Sequence, residues 1–188
     1  EEAPAEETSP SHPVFLFKLE NREIEKMVGS LQEVIGKDED RGFPAGKETL
    51  KELLLRLKGI ETHYERKEQL LFPFLERHGF TGPSKVMWGK DNEVRDLLKK
   101  ALQELDAIDN TAGLAAYGKG ALTPPLEEVL GMIFKEEDIL FPTSLEKLDA
   151  SDWVDILRES EDIGYVFIRK PEETIVLEKH LQNALFEF

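Results

Sequence analysis

Two stretches of eleven residues are versions of each other, and they constrain the fold more than any other feature of the chain. Residues 63–73 read HYERKEQLLFP, and residues 132–142 read MIFKEEDILFP. Both place acidic residues in a helical run, follow them with an apolar patch and end on Phe-Pro. Two helices with inward polar groups at matching heights are typical of a four-helix bundle with a central metal or cofactor site. In the alignment His63 corresponds to Met132, Lys67 to Glu136 and Glu68 to Glu137.

Four long segments carry apolar residues at spacings of three and four, which predicts four amphipathic helices. Each segment is long enough for a rod of ~30 Å. Gly and Pro residues separate the segments and predict breaks in the chain. The sequence therefore predicts an all-α, up-down-up-down four-helix bundle, followed by a short fifth helix and a C-terminal extension. The four helices are expected at residues 13–35, 47–78, 84–108 and 124–148.

The same pattern divides the chain into three parts. Residues 1–11 are acidic and rich in Pro, which indicates a disordered lead-in. Residues 12–148 form the bundle. Residues 149–188 contain the fifth helix and an amphipathic run at 174–185, which is expected to act as a linker or a dimerisation segment because it would otherwise expose an apolar face.

Composition excludes several classes of function. A formal net charge of −15 disfavours binding to nucleic acid or to an anionic membrane surface. The absence of cysteine excludes thiolate zinc sites and iron–sulfur clusters, and it is compatible with a cytoplasmic location. No apolar run approaches the ~20 residues of a membrane span. The sequence also lacks the common motifs that pair a nucleophile with a base, so we do not expect an enzyme.

A polar residue faces inward near the middle of each predicted helix. Buried charges are costly unless they are paired or bind a metal, so this layer is the expected functional site. The layer consists of Asn21 on the first helix, His63, Lys67 and Glu68 on the second, Asp91 on the third, and Glu136 and Glu137 on the fourth.

Several of these motifs resemble the hemerythrin-like bundles, also called the HHE cation-binding domain. The resemblance covers about residues 12–148, and the stretches 82–89 and 161–165 are similar to the branch found in bacterial proteins that carry a PAS sensor domain after the bundle. It implies a four-helix bundle with a central cation site and a sensory role. The motifs are His12-Pro-Val, Glu20-Asn21-Arg22, His63 ten residues before Pro73, Asp91-Asn-Glu-Val-Arg95, and Glu136-Glu137 before Leu140-Phe-Pro142.

The chain departs from this family at most ligand positions. The resemblance implies a non-haem di-iron centre held by several histidines and two carboxylates, and here only His63 stands at an expected histidine position. Asn21, Asp91 and Met132 replace other histidines, and Lys67 replaces a bridging carboxylate. A protonated lysine is not a metal ligand but itself a cation. Oxygen carriage by a di-iron centre is therefore not expected.

Two interpretations of the polar layer involve a cation. In the first, one divalent metal binds there; mixed nitrogen and oxygen ligands suit iron, manganese or zinc, and iron is the expected metal. In the second, Lys67 takes the place of the metal and pairs with Asp91 and Glu136 as a buried ionic cluster without a cofactor. The candidate metal ligands are His63, Glu68, Asp91, Glu136 and Glu137.

A third interpretation is a haem in the core. His63 would be one axial ligand, with Met132 or another histidine opposite, because His/Met ligation is a known arrangement for haem. Tyr64 and Asn21 are candidates for the remaining contacts with the cofactor.

The sequence as a whole predicts a sensory or ligand-binding domain of a cytoplasmic signalling protein. By resemblance it would report oxygen, redox state, metal or another small ligand to a neighbouring PAS-type domain, or to a second copy of the chain, through the C-terminal segment. The competing prediction is a structural interaction module without a cofactor.

Overall fold

The computed structural model describes residues 11–36 and 42–169, and within them every regular element is helical. Two of the elements are π-helical segments, Lys67–Leu71 and Glu136–Leu140. No helix among the described residues combines the length and apolar character needed to cross a membrane. The α-helices are α1 (Pro13–Gly36), α2 (Phe43–Leu57), α3 (Ile60–Arg66), α4 (Phe72–Arg77), α5 (Gly82–Asp106), α6 (Thr111–Lys119), α7 (Thr123–Lys135), α8 (Phe141–Lys147) and α9 (Ala150–Ile163).

These elements build four rods. Rod 1 is α1, rod 2 runs from α2 through the first π segment to α4, rod 3 is α5, and rod 4 runs from α7 through the second π segment to α8. Each rod packs against the next, and rod 4 also contacts rod 1. Helix α9 lies against rod 2 and rod 1. The predicted all-α four-helix bundle with a short fifth helix is confirmed.

The apolar stripes of the rods meet in one core. From α1 this core takes Phe17, Ile24 and Leu31, each at most 1% exposed, at the spacing of seven expected for one helix face. Rod 2 contributes Leu50, Leu54 and Leu57 among others, and rods 3 and 4 contribute similar residues. The core thus occupies most of the length of the bundle and leaves one polar layer within it.

A proline lies two residues after the end of each π segment. Phe72 N–H bonds to Lys67 O and Phe141 N–H bonds to Glu136 O, five residues back, and Pro73 and Pro142 come next. Because a proline has no N–H, the widened turn leaves no donor unpaired at that position. Pro73 lies inside the predicted second helix, where a proline is expected to kink or loosen the last turns, and the loosening takes the form of a π segment.

Two segments that the sequence predicts as loops are partly helical. Rod 2 begins at Phe43 rather than Lys47, because Pro44 is acceptable in a first helical turn. The connection at 109–123, which three glycines made resemble a long loop, contains α6. Asn110 caps this helix by accepting from Gly113 N–H at 2.7 Å, and Tyr117 Oη donates to Ala101 O at 2.8 Å.

The end of the described chain also differs from expectation. Ser151 and Asp152 are the caps that the sequence suggests for the fifth helix, but Asp149 is the N-cap of α9, and it forms a capping box with Asp152. The run Tyr165-Val-Phe-Ile168 has the residue types of a short extended segment, but residues 166–168 form bends, and Phe167 has φ +66°. The predicted amphipathic run at 174–185 and residues 1–10 of the predicted lead-in at 1–11 lie outside the described residues.

Candidate functional site

The first residues of the two π segments meet in the centre of the bundle. Lys67 Nζ lies 2.9 Å from Glu136 Oε2 and 2.9 Å from Asp91 Oδ1. The Lys67 side chain is 0% exposed, and its Nζ lies 4.3 Å from the centroid of the Tyr64 ring. The ammonium is thus enclosed by two carboxylates and an aromatic face, which is an environment that suits a cation.

His63 joins this ion pair to a second one. Its Nε2 lies 2.8 Å from Glu136 Oε1, and its Nδ1 lies 2.9 Å from Glu20 Oε1. A neutral imidazole has only one N–H, whereas an imidazolium donates from both nitrogens. Two ionised carboxylates in contact with the two ring nitrogens therefore require His63 to be protonated.

Glu20 and Arg66 complete the cluster, and the sequence analysis did not single them out as site residues. Arg66 Nη1 donates to Glu20 Oε1, and both side chains are 0% exposed. The guanidinium carbon of Arg66 lies 4.3 Å from the Phe17 centroid and 4.4 Å from that of Tyr165. Their spacing could have indicated this position. Arg66 lies three residues after His63, and Glu20 lies three residues after Phe17, so each pair shares a helix face.

These six residues form one charge-balanced group, which we call the ion cluster. Its bases are His63, Arg66 and Lys67, and its acids are Glu20, Asp91 and Glu136. Three potential positive charges face three potential negative ones. Such mutual compensation is the condition under which charges can stay buried.

The pKa shifts agree with this balance. Burial alone lowers the pKa of His63 and Lys67, but the neighbouring carboxylates outweigh it and raise both. Burial raises the pKa of Glu136, yet Lys67 and His63 bring it down to about 2. Burial also favours the neutral form of Glu20, and the contacts with His63 and Arg66 reverse this and lower its pKa.

Asp91 is the exception within the cluster. Burial raises the pKa of Asp91 to about 7, because the Lys67 ammonium only partly offsets it and Glu136 adds negative charge. Its Oδ1 accepts from Lys67, while Oδ2 is buried without a hydrogen-bond partner. Asp91 is therefore the acid of the cluster that takes up a proton most readily near neutral pH.

The remaining candidates surround the cluster. Glu68, predicted as a metal ligand, is held by Arg95 through two contacts of 2.6 and 2.8 Å, and Arg95 also reaches Glu61 at 2.9 Å. Glu137 forms an ion pair with Arg22 at the edge of the bundle. Both carboxylates are thus already engaged by arginines.

Apart from His63, the three residues proposed for a haem lie in different surroundings. Asn21 donates from Nδ2 to Glu136 Oε1 at 3.1 Å and to Glu137 Oε2 at 3.3 Å, which places it at the edge of the ion cluster. Tyr64 presents its ring to Lys67, and its buried hydroxyl has no hydrogen-bond partner. Met132 is 1% exposed and belongs to the apolar core.

The arrangement does not fit a metal ion in the ion cluster. The two nitrogens of His63 point to different carboxylates, and the Lys67 ammonium lies between Asp91 and Glu136, where a metal would bind. Among the described residues, three such ligand atoms converge within 4.8 Å only on the surface, at His78, Asp149 and Asp152. A metal in the core would have to displace the ammonium and at least one contact of His63.

A haem fits no better. Either nitrogen of His63 would have to leave its carboxylate to become an axial ligand. A cavity of about 590 Å³ lies on the bundle surface and is lined by residues such as Leu19, Arg22 and Ile168. His63 does not line this cavity, so a group bound there would not reach it.

Comparison with known families gives one finding. The family model for the hemerythrin HHE cation binding domain matches residues 12–144, which span the four rods except for the last three residues of α8 and include the whole ion cluster. A search of curated proteins finds no match.

Proposed function

The chain belongs to the hemerythrin HHE cation-binding domain family, and on this premise we propose that it is a sensory bundle whose internal cations are its own side chains. Family membership implies a metal such as iron. The observation that carries the proposal is the position of Lys67 Nζ, 2.9 Å from both Asp91 and Glu136 in a fully buried layer. An ammonium there supplies the positive charge that a metal would otherwise supply.

The proposed role is binding and signalling rather than catalysis. The side chains of His63, Lys67 and Glu136 are at most 1% exposed, so a substrate has no direct access to them. A charge-balanced group of this kind has alternative arrangements of protons and hydrogen bonds, and a change among them alters the packing of the rods around it. A neighbouring PAS-type domain, suggested by the sequence resemblance, is the partner we propose for the output.

Metal analysis of purified protein tests the proposal. We expect wild-type protein to hold substoichiometric iron, manganese and zinc, and to remain so after anaerobic addition of iron(II) and removal of excess metal by gel filtration. The spectrum should show no Soret band after incubation with haem. Stoichiometric metal or haem that is lost in a His63→Ala variant would overturn the proposal.

A matched variant separates the core from the surface. His78→Ala removes the histidine of the exposed group formed with Asp149 and Asp152, where His78 Nε2 lies 2.8 Å from Asp152 Oδ2. Metal that disappears in His78→Ala but persists in His63→Ala comes from this surface group, and the proposal for the core stands.

A further inference from the structure

The segment that follows α9 folds back onto the bundle. Residues 164–169, which we call the strap, begin at Gly164, where φ of +93° ends the helix. The Tyr165 ring covers the guanidinium of Arg66. A Cβ placed on Gly59 would lie 3.1 Å from Val166 Cγ2 and 3.2 Å from Phe167 Cε1. The strap therefore packs closely against rod 2, at the junction of α2 and α3.

One carboxylate connects the strap to the ion cluster. Glu20 Oε2 accepts from Val166 N–H at 2.7 Å. Glu20 Oε1 accepts from His63 Nδ1 at 2.9 Å and also from Arg66. His63 and Arg66 thus fix the orientation of the Glu20 carboxylate. The carboxylate in turn holds Val166 of the strap in place.

The strap is also held in a strained conformation. Phe167 has φ +66°, a region that residues with a Cβ rarely occupy. Its side chain packs against the hydrophobic core. Strain of this kind persists only where surrounding contacts enforce it, so loss of a contact favours release.

We propose that the strap is a latch, docked while the ion cluster holds Glu20 and released when the cluster rearranges. Release would change where the chain leaves the bundle at Arg169. This inference rests on the proposed function in one respect, because it takes the ion cluster as the sensing element.

Amide hydrogen exchange of the full chain, followed by mass spectrometry, tests the latch. The readout is the exchange rate of peptides from the strap relative to peptides from α5, so that general destabilisation cancels. Glu20→Gln removes the charged acceptor of Val166. His63→Gln changes the ion cluster at a residue whose ring nitrogens contact Glu20 and Glu136 and not the strap. We expect this ratio to rise at least tenfold in both variants, because hydrogen bonds to charged groups are the strong ones.

Two variants serve as controls. Glu23→Gln makes the same change on the same helix at a residue that pairs with Lys26 on the surface. Arg95→Gln breaks the contacts with Glu61 and Glu68 and leaves Glu20 untouched. Both should keep the wild-type ratio.

Other results overturn the latch. An unchanged ratio in Glu20→Gln means that the carboxylate does not hold the strap. A rise in Glu20→Gln without one in His63→Gln means that the cluster does not control the strap. The exchange ratio does not depend on the metal analysis. Stoichiometric metal in the core would therefore contradict the proposed function, whereas the latch is tested by the exchange ratio alone.

Discussion

Lys67→Met is the substitution that most directly tests whether a buried ammonium holds this bundle together. Methionine keeps the length and approximate volume of lysine and removes only the charged group, so the apolar packing is preserved. The variant loses two contacts of 2.9 Å, to Asp91 and to Glu136, and the contact with the Tyr64 ring. It leaves two buried carboxylates facing each other.

The expected cost follows from this uncompensated charge. Removal of one partner from a buried pair costs about 3–5 kcal/mol. The lower end applies here because Glu136 keeps its contact with His63 and Asp91, whose pKa is already about 7, can take up a proton. We therefore expect a loss of about 3 kcal/mol in the free energy of unfolding at pH 7.

The cost should increase with pH. In the variant the pKa of Asp91 rises further above the value of the unfolded chain, so the folded state binds a proton that the unfolded state does not. Stability from such a group is lost as pH rises towards the folded pKa, at about 1.4 kcal/mol per pH unit for one proton. In the wild type, stability stops falling near pH 7, where folded Asp91 loses its proton. In the variant, stability continues to fall above pH 7. The difference between them should grow by about 1 kcal/mol from pH 7 to pH 8.

Urea denaturation followed by tryptophan fluorescence measures the effect, since Trp153 is buried in the bundle. With a slope of about 2 kcal/mol per molar urea, the midpoint should fall by roughly 1.5 M. Lys51→Met is the matched control on the same rod, because Lys51 pairs with Asp106 at 3.0 Å on the surface and should cost under about 1 kcal/mol. A Lys67→Met variant no less stable than Lys51→Met would refute the reasoning.

Three further predictions concern pH and helix ends. The pKa of Glu136 lies near 2 instead of 4.5, so about 3 kcal/mol of stability should be lost as pH falls from about 4.5 to 2. The pKa of His63 is raised above 6.5, so its contribution is complete below about pH 6.5 and is lost at higher pH. Because the raised pKa of Asp91 also makes wild-type stability fall as pH rises to about 7, urea midpoints should be highest at about pH 4. Asp149→Ala removes the hydrogen bond that Asp152 N–H donates to Asp149 Oδ1 at the start of α9, and it should cost about 1 kcal/mol in thermal or urea unfolding. Gly79→Ala places a side chain at φ +81° and should cost about 1 kcal/mol, whereas Gly29→Ala, within α1, should stabilise by about 0.5–1 kcal/mol.

Each of these has a contrary outcome. Stability that does not fall between about pH 4 and pH 2 would contradict the ion pairs of Glu136. Ser151→Ala is the control for the cap, and an equal loss in both variants would show that α9 begins elsewhere. Since no atom lies within 4 Å of a Cβ at Gly79 or Gly29, a loss of equal size at both glycines would contradict a backbone origin.

Much of the fold was predictable because helical periodicity is a local property. Apolar residues at spacings of three and four specify one face of a helix wherever it packs, and four such stripes determined the four rods. Short helices were harder. α6 has three glycines within or beside it, and Gly118 packs so closely against Ile35 of α1 that an added Cβ would lie only 2.8 Å from Ile35 Cγ2. That contact comes from tertiary packing.

The paired stretches at 63–73 and 132–142 also predicted where the polar layer lies and which residues stand at equal height. Lys67 and Glu136, aligned in the sequence, are in contact in the structure. The ionic alternative, with Lys67 between Asp91 and Glu136, was stated from the sequence, but its geometry could not be distinguished there from that of a metal site.

The sequence by itself thus determined the class of fold, the register of the two stretches and the height of the site, because these depend on the period of a helix. The tertiary structure decided which charged side chains meet at the site. Glu20 and Arg66 lie on helix flanks, where the period alone does not distinguish buried from exposed, and they are buried because Tyr165 and the rest of the strap cover them. Whether a flanking charge meets water or an opposite charge depends on elements far away in the chain, and only the assembled bundle brings them together.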